Sequence, residues 1–160
     1  KLGVDLYKYY AESNEEYNDG KFFKFSSKTD QNKKKKYVNI TLDTNENKLK
    51  IDGSSYKGNT PIDSIVGTWW NHEIVKAKQQ ISAISGRVIE QTVTFVGKEE
   101  IKIGDKTYNA LHFNFKSSDE SLPDNKKLNT DIWYDESSLL WLKAAFDKTG
   151  RWEYRLKNYN

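Results

Sequence analysis

Two histidines, His72 and His112, are the chain's imidazoles, and with no cysteine they are its side chains of near-neutral titration. A Ser/His/Asp arrangement needs one of them beside a nucleophile. His112 alternates with Leu111 and Phe113, which turns it to solvent or to the opposite face of a sheet and away from catalysis. His72 follows Trp69-Trp70-Asn71 in the one irregular stretch, where binding residues tend to gather. Two readings of that stretch stand side by side. In one, the indoles plug an open end of a sheet and Asn71 bonds loop backbone, because Trp is chiefly a burial residue. In the other, Trp69 or Trp70 is a stacking shelf for a sugar ring or acyl chain, with Asn71 and His72 supplying hydrogen bonds.

Glycoside chemistry needs two carboxylates flanking a cleft, and Glu15, Glu16, Asp131 and Asp135 are the acids adjacent to aromatic clusters. Glu15 and Glu16 point to opposite faces of one strand, so at most one looks inward. A buried Glu15 is expected to pair structurally with Arg87 or Arg151. The enzymatic alternative is a hydrolase or lyase acting on a polysaccharide or ester, with Glu15, His72 or Asp135 as acid or base. There is no D-x-D-x-D-G loop, and two distant histidines make a poor zinc site, so neither metal nor cofactor is expected. The lysine run 33–36 reads as a solvated hairpin tip, with contact to anionic lipid headgroups as its alternative.

The elements that position these residues follow from composition and alternation. At 160 residues the chain fits one domain, residues 1–160, and 7 Phe, 10 Tyr and 5 Trp compensate for an apolar content of 36%. A formal charge of +3 from 26 basic and 23 acidic groups creates no strong field, so nucleic acid is not implied. No run approaches the roughly 18 apolar residues of a membrane span.

Period-two alternation predicts strands over residues 3–17, 21–29, 37–43, 48–52, 88–103, 108–115, 131–135, 139–147 and 151–156. Turns are expected at Asn18-Asp19-Gly20, Asn45-Glu46-Asn47, Gly104-Asp105-Lys106 and Thr149-Gly150, with a bulge at Gly97. Residues 60–80 read as a short helical or irregular insertion, capped by Asp63 or Thr68, with Ile62, Ile65 and Trp69 along one side. Gly58 and Pro61 mark a loop before it. The expected fold is mainly β, an antiparallel meander curled or partly closed around aromatics. Val93, Leu111, Phe113, Trp133 and Leu142 are expected in one core.

Several segments in order carry a family resemblance: Glu15 with Tyr17-Asn18-Asp19-Gly20-Lys21-Phe22, then Thr68-Trp69-Trp70-Asn71, Gly86-Arg87 and Gly97-Lys98-Glu99. Asp131-Ile132-Trp133-Tyr134-Asp135 and residues 147–154 complete the set. Together they resemble a bacterial family of exported domains of unknown function, domain of unknown function 6134. The resemblance implies a periplasmic or secreted β-rich envelope protein with its signal peptide removed, and no reaction. It also implies that about two strands precede residues 1–10.

A long first strand without such neighbours is an unprotected edge. Leu6, Tyr7, Tyr9 and Tyr10 are therefore expected to meet a protein partner or a second copy, closure onto residues 151–156 being the alternative. The leading functional reading is a non-enzymatic binding or assembly module. It binds through an aromatic concave face, for lipid or glycan, or through that edge.

Overall fold

A computed structural model describes residues 9–147 and 151–157. Leu6, Tyr7 and the Thr149-Gly150 turn lie outside the described residues. The protein is mainly β, 64% strand and 5% helix, in two sheets, one strongly curled into a half-barrel. The chain divides into two compact units, residues up to Val66 together with Ile81–Val88, and Gly67–Gln80 together with residues from Ile89 onward.

The first unit holds β1 (Tyr9–Asn18), β2 (Lys21–Gln31), β3 (Lys34–Asp43), β4 (Lys48–Gly53) and β5 (Lys57–Pro61) in sequential order, followed by the short β6 (Ile65–Val66). Successive strands of the five-stranded sheet pair antiparallel. Its turns are local chemistry. Asp19 and Gly20 take φ of 50° and 74°, the positive values that a primed two-residue hairpin requires. Phe25, Val38, Ile40, Leu49 and Ile51 alternate inward and are at most 4% exposed, forming one core with Val66 and Ile81.

Two segments of this unit differ from the sequence expectation. Only Asn32 and Lys33 make the turn of the second hairpin, both with positive φ, and lysines 34–36 belong to β3. Residues 57–61 are a strand and not a loop; as the last strand of its sheet, β5 tolerates Pro61, which has no N–H to donate.

The second unit is built on β8 (Val88–Ile103), β9 (Lys106–Ser117), β10 (Asn129–Asp135), β11 (Trp141–Asp147) and β12 (Arg151–Arg155), numbered after β7 (Gln79–Ile81). These lie in the order β12-β11-β10-β9-β8-β7. The register of β8 on β9 shifts between Phe95 and Gly97, the bulge expected at Gly97, whose φ is 158°. A second shift separates Trp133 from Tyr134 against β11.

These registers overturn the expected single core. Trp133 stands opposite His112, while Phe113 stands opposite Ile132 and Leu111 opposite Tyr134. Trp133 and Leu142 therefore pack with Ile101, Ala110 and Ala145. Phe113, Leu111 and Val93 line the other face and are only half buried. In a pleated sheet a one-residue offset exchanges faces completely.

The irregular segment is a 3₁₀ helix, His72–Lys76, and its cap is Asn71, whose side chain accepts from the Glu73 N–H at 3.1 Å. Neither Asp63 nor Thr68 caps it, and Ile62, Ile65 and Trp69 are not on a helix. Gln91 ties this turn to β8. Its amide is 6% exposed and donates to the carbonyls of Ile74 (3.1 Å) and Ala77 (2.9 Å), while its Oε1 accepts from Gln80 at 2.6 Å.

Candidate functional site

The tryptophan segment is held against the Phe113 face of the second sheet. Tyr134 is fully buried, and its hydroxyl donates to the Trp69 carbonyl at 2.7 Å. Burial pushes that phenol far above its ordinary pKa, so it acts as a fixed donor. The Trp69 indole stacks on Trp141, centroids 5.8 Å apart at 23°, and lies 5.8 Å from the Tyr154 ring. Both rings compete with any shelf for a sugar. Trp70 is the exposed indole, at 57%.

His72 sets its ring edge-on to Tyr134 (5.1 Å) and Phe113 (6.3 Å). Burial among these rings holds its imidazole below the ordinary value of 6.5, which Lys76 reinforces and Glu73 opposes. Three buried polar atoms in this cluster have no hydrogen-bond partner among the described residues: Thr68 Oγ1, His72 Nδ1 and Trp141 Nε1. Such atoms usually find partners, each costing about 1–3 kcal/mol when left alone.

The opposite face carries a constellation that alternation alone did not assemble. His112 Nε2 lies 2.9 Å from Asp131 Oδ1, and the same oxygen accepts from Asn114 at 3.1 Å. Arg151 reaches Asp131 Oδ2 at 4.0 Å and Asp147 at 3.7 Å. The His112 ring stacks on Trp133 at 4.2 Å and 18°, and the Lys143 ammonium sits 4.0 Å over the same indole. The Trp133 indole N–H donates to Glu99. A carboxylate orienting an imidazole is half of a triad; among the described residues no hydroxyl is bonded to His112, and the pairings join β9, β10 and β12. The signal for it was present as parity: His112 and Asn114 share one side of their strand, and Asp131 and Trp133 one side of theirs.

The remaining acids have assigned work. Asp135 Oδ2 accepts from Ser137 Oγ (2.7 Å), Ser138 N (2.8 Å) and Ser138 Oγ (2.6 Å), closing the turn into β11. Burial works to raise its pKa, and the hydrogen bonds from Ser138 and Ser137 outweigh it, leaving a carboxylate below its usual range. Glu15 accepts from the Tyr17 hydroxyl at 2.7 Å. Among the described residues no group of three or more His, Cys, Asp or Glu could hold a metal ion. Among them, too, no helix is long and apolar enough to cross a membrane.

The edge expected to meet a partner is partly within view. β1 pairs with β2 along its length and is the end strand of its sheet. Tyr9 and Tyr10 are 45% and 65% exposed. β12 is the end strand of the second sheet, pairing with β11.

These features define a mainly β protein of two sheets, one of them strongly curled, with almost no helix. The family model Domain of unknown function (DUF6134) matches residues 1–157, and the chain belongs to that family. No curated protein and no solved structure matches it.

Proposed function

We propose that the protein is a non-enzymatic binding or assembly module that takes an extended polypeptide by strand addition along β1. The observation that carries this is that β1, a ten-residue strand with nine exposed positions, stands at the end of its sheet among the described residues. An edge of that length offers a row of backbone donors and acceptors to an incoming strand. An exported, periplasmic or secreted location is part of the same proposal and rests on the sequence resemblance; fractionation of the native host tests it.

The direct test places a photo-crosslinking amino acid at Tyr10 in the native host. A discrete adduct with another polypeptide is expected, and mass spectrometry would identify it. Irradiation that yields monomer alone, with a monomeric native mass at micromolar concentration, would defeat the proposal.

A second reading places a glycan or acyl chain at Trp69, Trp70, Asn71 and His72. The unpartnered Thr68, His72 and Trp141 atoms favour it, since a ligand that opens the loop would supply their missing hydrogen bonds. Ligand-dependent change in tryptophan emission that Trp70→Ala abolishes is the expected sign. An unchanged response in that variant would remove the reading.

A further inference from the structure

Residues 68–78 are fastened to the second sheet by two kinds of contact. From Ile74 onward the fastening is amide chemistry. Gln91 donates from its side chain to the carbonyls of Ile74 and Ala77, and from its backbone N–H to the Lys78 carbonyl at 2.9 Å. None of these groups titrates near neutral pH. Upstream, the contacts are made by rings. Trp69 stacks on Trp141, His72 stands against Tyr134 and Phe113, and the Tyr134 hydroxyl bonds the Trp69 carbonyl.

His72 is the member of this upstream cluster whose charge changes near neutral pH. Its surroundings suit the neutral ring and not the cation. Nδ1 is buried and has no hydrogen-bond partner among the described residues. The charged groups that act on it, Glu73 and Lys76, belong to its own turn and are paired with each other at 3.1 Å, so neither carboxylate nor ammonium is left to dominate. β10 presents the Tyr134 phenol, which burial keeps neutral, and β9 presents the uncharged Phe113 ring. A cation at this position would lose its water and gain no counter-charge.

We infer that His72 is an acid-released latch: on taking up a proton it leaves Tyr134 and Phe113, and residues 68–73 swing off the aromatic face while Gln91 keeps the rest of the turn on β8. Release returns the imidazolium to water and uncovers Trp141. The direction follows from linkage. The open form binds the proton at the ordinary value and the closed form at a lower one, so the closed form is fully favoured above about pH 6.5. As pH falls from there to the closed-form value, the opening constant rises about tenfold per pH unit and then levels off. The latch depends on neither strand addition at β1 nor a ligand at Trp70.

NMR of the whole protein tests it through two signals. The ring protons of His72 give its titration midpoint, and the buried indole N–H of Trp141 reports the cover through its hydrogen exchange, scaled at each pH to free tryptophan. Between pH 8 and pH 5, protection of the Trp141 N–H should fall about tenfold for each unit by which the His72 midpoint lies below 6.5, while the amides of β9 and β10 keep theirs. His72→Phe should abolish the pH dependence, with His72→Gln as a second uncharged variant should the first unfold. Tyr134→Phe should raise exchange at both pH values and leave their ratio unchanged. Trp141 protection that is unchanged or increased in acid, as a cation–π contact of His72 would produce, overturns the inference. So does a loss that persists in both His72 variants, or one that the amides of β9 and β10 share.

Discussion

Replacing Gln91 by Leu removes the amide that ties the 3₁₀ turn to β8, and its cost can be worked from the bonds lost. Three are lost at once: two donated to the carbonyls of Ile74 and Ala77, and one accepted from Gln80. At a net worth of about 1 kcal/mol each they sum to about 3 kcal/mol. Stranding the Gln80 amide and two carbonyls adds to this, and the buried leucine side chain offsets a similar amount. A loss of about 3 kcal/mol is therefore expected.

All five tryptophans, Trp69, Trp70, Trp133, Trp141 and Trp152, belong to the second unit, so urea unfolding followed by tryptophan emission reports that unit selectively. With a denaturant slope of about 2 kcal/mol/M the midpoint should fall by about 1.5 M. Gln80→Leu combined with Gln91→Leu should recover part of the loss, because the stranded amide disappears. A midpoint shift equivalent to less than about 0.5 kcal/mol for Gln91→Leu would refute the reasoning, since the amide would then not be anchoring the turn.

Phe25, 1% exposed in the first core, should cost about 3–5 kcal/mol when cut to Ala, read by far-UV circular dichroism because the first unit lacks tryptophan. Tyr134→Phe deletes the bond to the Trp69 carbonyl and should destabilise the second unit by about 1 kcal/mol in the same urea assay. The lowered pKa of His72 means that the unfolded chain takes up a proton first as pH falls. Its contribution is therefore complete above about pH 6.5 and is lost on acidification through the folded value. Urea midpoints at pH 8 and pH 5 should converge in His72→Phe relative to the wild type; an identical pH dependence in both would show that His72 is not the group responsible.

The strands and most of their turns were legible in the residues alone. Asp19-Gly20 and Gly104 take positive φ, and the register slips at Gly97, because the preferences involved are confined to a few adjacent residues. Alternation likewise identified the inward residues of β3 and β4.

Which strand faces share a core was decided by the tertiary structure. Trp133 and Phe113 both look apolar and alternating, yet the pairing of β9 with β10 sends them to opposite sides. Nothing local chooses between that register and its neighbour. The choice belongs to contacts distant in sequence, such as Tyr134 with Trp69, Trp133 with Glu99 and Gln91 with the 3₁₀ turn. The same holds for the His112–Asp131 pair. Its members are ordinary polar residues until pairing across strands brings side chains with no proximity in sequence to one side of a sheet.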